Sequence, residues 1–278
     1  LMDGFTASLT AKRSGNVYCL NNADGFINYP IGNQHHFTWE EEGIEMQRFQ
    51  FVPDGWEGMV VEYTLANNST VTKQFDFSFT GMVDLRPTWL GERTNMSDAE
   101  DEISFDKKLS AVVAKDKSNP WYVVFGSTLK ANDFSSSAVC ETERKGLGAN
   151  GTLTYELFLQ PGSMKVIQVF IAGSYKSESA ALETFSFLKN MGTIELDQKI
   201  DHYKKLKATA NLIIPDKEVE QMYEWLKYNT EWLVRTVPEQ GSAVSAGLPD
   251  YPWWFGADMT YTMQGILATG NHTLAKNS

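Results

Sequence analysis

Thr152-Leu-Thr-Tyr-Glu-Leu-Phe-Leu159 is followed by Gln160-Pro-Gly-Ser163 and then by Met164-Lys-Val-Ile-Gln-Val-Phe-Ile-Ala172. Leu153, Tyr155, Leu157 and Leu159 alternate with Thr154, Glu156 and Phe158. A period of two puts alternate side chains on opposite faces, so this is a half-buried strand. Pro-Gly between two apolar runs is a hairpin signal. The pattern recurs upstream. Val61, Tyr63 and Leu65 alternate with Glu62 and Thr64, and Phe75, Phe77 and Phe79 alternate with Asp76 and Ser78. Trp121–Phe125, after Asn119-Pro120, is a continuous apolar run suited to a strand buried on both faces. The first 175 residues therefore read as stacked antiparallel sheets.

Near residue 176 the period changes. Ser177–Asn190 reads as a helix with Gly192 as its stop, and Leu196, Ile200, Tyr203 and Leu206 form a second amphipathic stripe. Asp216 after Pro215 is a good N-cap for a helix whose apolar face runs from Val219 through Met222, Tyr223, Leu226, Leu233 and Val234 to Val237, ending at Pro238. A loop over 239–257 and a last helix starting near Met259 and closing at Gly270 complete the chain. The expected organisation is a β domain over 1–175, a helical linker over 176–214 and a helical region over 215–278. The terminal helix pair is too small to bury its own face, so a covering surface is expected over 215–278, from the sandwich or from a longer continuation of the chain.

Composition narrows the function. The 278 residues carry a formal net charge of −11, and no run of Lys or Arg forms a basic stripe. Nucleic acid and anionic membrane are thereby disfavoured as partners, whereas a neutral polyol is compatible with such a surface. No apolar run approaches the roughly 18 residues needed to span a bilayer. Cys19 and Cys140 can form one disulfide or remain two buried thiols, and spacing does not decide between them. The balance of charge and cysteine fits cytoplasm and periplasm alike. Asn-x-Ser/Thr sequons stand at Asn67, Asn68, Asn95, Asn150 and Asn271. His35-His36 followed by Glu40–Glu42 lacks the spacing of a metal site, because adjacent histidines on a strand point to opposite faces. No G-x-S-x-G, P-loop or G-x-G-x-x-G is present, and no cofactor or metal is implied.

Chemistry concentrates in Ala246-Gly-Leu-Pro-Asp250-Tyr-Pro-Trp-Trp254-Phe-Gly-Ala-Asp258. Tyr251, Trp253, Trp254 and Phe255 lie between the carboxylates of Asp250 and Asp258. Rings cover the C–H faces of a pyranose, and carboxylates accept hydrogen bonds from its hydroxyls. Gly and Pro stiffen and shape the segment. Asp258 has a second reading as the N-cap of the last helix, and Asp250 as a turn residue. If the loop is extended, Trp253 and Trp254 point opposite ways, so one reaches a ligand and the other anchors the loop.

This segment resembles that of glycogen-debranching, amylo-α-1,6-glucosidase-like glycoside hydrolases, members of the six-hairpin glycosidase group. Leu85-Arg-Pro-Thr-Trp-Leu90 is a weaker echo of the same family. The resemblance implies an antiparallel β supersandwich followed by a helical linker and the first helices of an (α/α)6 barrel. It implies a saccharide substrate, with Asp258 in the −1 subsite and Tyr251, Trp253 and Trp254 near the same pocket. Ala257 stands where many members have Arg. The family's chemistry is inversion by two carboxyl groups roughly 6.5–9.5 Å apart. Both are expected on later barrel helices beyond this chain, so no residue here is assigned as acid or base. The reading from another class is a non-catalytic carbohydrate-binding or structural β-sandwich module.

Overall fold

The computed structural model describes residues 2–87, 95–142, 146–248 and 251–278. It is mainly antiparallel β-sheet followed by helices, as the alternation implied. The strands of the sandwich are β1 (Met2–Ala11), β2 (Val17–Cys19), β3 (Gly25–Tyr29), β4 (Gly32–Trp39), β5 (Ile44–Phe51), β6 (Gly58–Asn67) and β7 (Lys73–Val83). They continue with β8 (Asp101–Asp106), β9 (Ala111–Asp116), β10 (Tyr122–Ser127), β11 (Asp133–Ser135), β12 (Ala149–Leu159) and β13 (Met164–Ser174). One sheet has the order β11-β12-β7-β1-β2 and the other β3-β4-β5-β6-β13-β10-β9-β8. The hairpin residues Gln160–Ser163 turn the chain from one sheet to the other, because β12 pairs with β7 and β13 with β6.

The inward residues of both sheets form one core. Leu9, Tyr63, Leu65, Phe75, Phe77, Phe79, Tyr155 and Val169 are all fully or almost fully buried there. The Tyr63 and Phe77 rings meet edge-on at 4.8 Å. Burying each such ring contributes roughly 1.5–3 kcal/mol. A second core covers the outer face of the larger sheet. Phe51, Val60, Val124, Phe170 and Ala172 pack there with Ala181, Phe185 and Leu188 of a helix. Val123 and Phe125 face the first core and Val124 the second, which accounts for the unbroken apolar run after Pro120.

That helix, α1, is continuous over Glu178–Ala208. The stop expected at Gly192 is not there. A Cβ at Gly192 would stand 3.3 Å from Val60 Cγ2 and 3.6 Å from Phe170 Cε1. The glycine serves close packing of helix on sheet, and the two amphipathic stripes are parts of one helix.

Cys19 and Cys140 form a disulfide across 121 residues. Asn67 is fully buried, and its amide donates to the carbonyls of Val71, Leu159 and Gln160. Arg86 of the Leu85–Leu90 stretch ion-pairs with Asp3 and Asp84, while Thr88, Trp89 and Leu90 lie outside the described residues. Four acids gather beside it. Asp84 and Asp116 are buried, and Asp101 Oδ2 accepts from the Leu85 N–H at 2.8 Å. Burial first, and then Asp116, Asp84 and Asp98 as neighbouring charges, push Asp101 up to about 6 against the backbone hydrogen bond.

The chain's internal packing divides it into Leu1–Leu196 and Asp197–Ser278. In the second unit, α2 spans Lys217–Trp232, and Asp216 caps it as expected by accepting from the Glu218 and Val219 N–H groups. Lys227 is buried and donates to the carbonyls of Lys207 and Thr209, closing the last turn of α1. The helix ends five residues earlier than the sequence implied. Val234–Val237 is instead strand β14, paired with β15 (Gly241–Val244). Val234, Thr236 and Val237 are β-branched, and Glu239 (φ 67°) and Gly241 (φ 110°) supply the turn. Helices α3 (Gly256–Ala268) and α4 (His272–Asn277) follow. Val244, Ile266, Leu274 and Ala275 form the unit's small core, with Leu233, Val234 and Met263 packed against it.

Candidate functional site

The aromatic segment is held at its base by backbone pairing. Tyr251 N–H donates to Gly247 O at 2.6 Å, Gly247 N–H returns to Tyr251 O at 3.0 Å, and Ala246 N–H reaches Trp253 O at 3.2 Å. Arg235, on β14, donates to the Pro252 carbonyl and ties the segment to the hairpin. Asp250 lies outside the described residues.

Three of the four rings face solvent. Tyr251 is 59% exposed, Phe255 41% and Trp253 36%. Trp253 and Phe255 meet edge-on, their centroids 6.4 Å apart. Trp254 is half-buried, with Nε1 enclosed and without a hydrogen-bond partner among the described residues. The two adjacent tryptophans thus differ in exposure, although the backbone bends at Trp253 rather than running extended. Trp254 is the more buried of the two, and Trp253 stands beside Phe255 at the surface.

Asp258 is not the N-cap. Helix α3 begins at Gly256, its cap position is Phe255, and no side chain caps it. Asp258 therefore sits inside the first turn and is exposed, where the N-terminal end of the helix dipole favours its negative charge. The carboxylate is not consumed by capping, and an acceptor at this position can take hydroxyl hydrogens from a ligand. Tyr261, one turn further along the same face, is also exposed. Sequence reasoning named the contiguous rings and Asp258 but missed Arg235 and Tyr261. The i, i+3 spacing from Asp258 was the available signal for Tyr261; nothing local pointed to Arg235.

Elsewhere, His35 and His36 point to opposite faces of β4, as period two demands, and His36 Nε2 lies 2.8 Å from Gln34 Nε2. Among the described residues no group of three or more His, Cys, Asp or Glu side chains is arranged to hold a metal ion. Glu231 bonds His202 at 2.8 Å.

No protein-family model and no curated protein sequence matches this chain. Solved structures do. A protein from the human microbiome described as a kojibiose phosphorylase is similar at 12% identity and a TM-score of 0.62, over 94% of this chain and 36% of that one. A bacterial glucoamylase complexed with acarbose is similar at 10% identity and a TM-score of 0.56, over 100% of this chain and 44% of that one. The chain thus spans less than half the length of either. At these identities the likeness is one of fold: the antiparallel sandwich and the helices after it are the architecture found in those two carbohydrate-active proteins.

Proposed function

We propose that this chain is the N-terminal part of an inverting glycoside hydrolase acting on α-glucosidic oligo- or polysaccharides. In this reading 1–175 is the supersandwich, 176–214 the linker and 215–278 the start of an (α/α)6 barrel. Asp258, with Tyr251 and Trp253 beside it, forms part of the −1 subsite, and Trp254 anchors the loop from behind. The general acid and base belong to later barrel helices, in an enzyme of the debranching or α-glucosidase type.

The observation that carries this is the exposed, uncapped carboxylate of Asp258 one turn from a row of solvent-facing rings. Surface rings of this size are retained where a ligand or a partner covers them. The fold likeness to a glucoamylase and to a phosphorylase of a disaccharide supports the choice of a saccharide. Exposure of Met222 (58%) and Leu226 (53%), one turn apart on α2, supports a covering helical layer over 215–278.

Tryptophan fluorescence of the 278-residue chain titrated with acarbose tests the subsite. Saturable quenching that Asp258→Asn weakens is expected; identical titrations for both proteins would remove Asp258 from the site. Turnover of maltooligosaccharides by this chain alone would contradict the assignment of acid and base to residues beyond it.

A further inference from the structure

A second concentration of unpaired polar groups lies in the sandwich, on the inward face of the strands at one edge of the larger sheet. Asn33 pairs across from Gln50 and His35 from Arg48, so all four side chains share one face of β4 and β5. Further along the same strands that face carries Phe37 and Met46 into the main core. At this end it is polar and half-buried instead. Asn33 Oδ1, His35 Nδ1, Arg48 Nε and Gln50 Oε1 are each enclosed with no hydrogen-bond partner among the described residues. Four such atoms together are unusual, because an orphaned buried polar atom costs about 1–3 kcal/mol.

Arg48 decides the chemistry. Its guanidinium packs between the Phe5 and Phe37 rings, 5.6 and 5.7 Å from their centroids. Among the described residues no carboxylate stands within ion-pair distance of it. Its cross-strand neighbour on β6 is Tyr63, which burial keeps neutral. His35 is held below the ordinary imidazole value by burial and then by the Arg48 charge, and an imidazole, neutral or cationic, offers no counter-charge. Tyr63 and the two rings are neutral partners, so among the described residues this desolvated cation has no counter-charge, which favours an anion. On the edge strand β3, the Phe26 ring is 60% exposed and 5.0 Å from the His35 ring. It offers an apolar platform next to the polar groups.

We propose that this corner of the sandwich binds a hydroxylated carboxylate of the uronic-acid class, its carboxylate on Arg48, its hydroxyls on the Asn33 and Gln50 amides and the His35 imidazole, and its C–H face on Phe26. The site is independent of the reading of Asp258.

NMR of the His35 imidazole in the 278-residue chain, titrated with D-glucuronate, tests it; the sequence has only 4 histidines to assign. Expected are a saturable shift and a rise in the His35 pKa, since a bound anion offsets the Arg48 charge. D-glucose and acetate, each lacking one half of the recognised chemistry, bind at least about tenfold more weakly. Arg48→Gln lowers glucuronate affinity at least about tenfold. Phe26→Ala, at an exposed edge position, weakens binding in a protein that keeps its fold, and so tests the site even if Arg48→Gln does not fold. Asp258→Asn changes nothing here. No saturable shift with glucuronate overturns the proposal. So does an equal response to glucose, or unaltered binding by Phe26→Ala.

Discussion

The Arg235 guanidinium donates to the Pro252 carbonyl, so a hairpin residue holds the middle of the Tyr251–Phe255 segment from 17 positions away. The contact links a β-turn that the sequence concealed to the rings that it displayed. Arg235→Met removes the donor and leaves the aliphatic stem. Faster amide exchange at Tyr251 and Trp253 is expected, with a stability loss of about 0.5–1 kcal/mol because the group is exposed. Unchanged exchange would mean that the Gly247–Tyr251 pairing holds the segment alone.

Asp258→Asn keeps the size and hydrogen-bonding capacity of the side chain but removes its charge. Because no N–H is capped by this carboxylate, the helix is expected to survive with a nearly unchanged melting temperature. Saccharide affinity is expected to fall about tenfold, as befits loss of a charge-assisted hydrogen bond. Calorimetry of both proteins separates the two effects.

Tyr261→Ala is a companion test of the site's extent. The ring is almost fully exposed and touches no core, so stability stays constant. A weaker response to acarbose in the fluorescence titration would include Tyr261 in the wall, and an identical response would end the wall at Asp258.

The pH dependence of stability has a definite sign at Asp101. Its folded value, about 6, lies above the ordinary carboxylate value of 3.8. The folded protein therefore holds this proton more tightly than the unfolded chain. The resulting stabilisation is complete below about pH 3.8 and is lost as pH rises through about 6. Asp101→Asn retains an oxygen for the Leu85 N–H and cannot ionise. Urea unfolding at pH 7 should show the variant more stable than the parent, with the difference vanishing near pH 4. A variant less stable at pH 7 would contradict it.

Reduction of Cys19–Cys140 frees a loop of 121 residues in the unfolded chain. A loss of about 2–4 kcal/mol is expected, measured as the shift in urea midpoint with and without dithiothreitol. The double replacement Cys19→Ser, Cys140→Ser should reproduce it.

The strands were legible because each half-buried strand displays its two faces one residue at a time, as Phe75 to Phe79 do. The helical half misled for two physical reasons. Gly192 carries the same letter whether it ends a helix or lets one approach a sheet, and only Val60 and Phe170 distinguish the cases. Leu233, Val234 and Val237 fit the helical stripe of α2 by spacing, but β15 offers them a ladder and the β-branched residues take it. Pairing of Cys19 with Cys140 depends on the whole topology and could not be read locally. Within the candidate site, the contiguous rings and Asp258 were visible because they lie together in the chain. Arg235 was not, since its role is set by where a hairpin brings it.

Asn67 and Asn68 both head Asn-x-Ser/Thr sequons, yet only Asn68 is exposed. The Asn67 amide is spoken for by three backbone carbonyls once β6 and the turn after it are in place. If the chain is made in a host that attaches glycans during synthesis, a sugar on Asn67 would mark a molecule modified before that turn closed, and one unable to close it afterwards. Because Asn67 and Asn68 share the tryptic fragment between Arg48 and Lys73, sequencing that fragment to locate the glycan would serve as a clock, recording whether the sandwich folds faster than the transferase arrives.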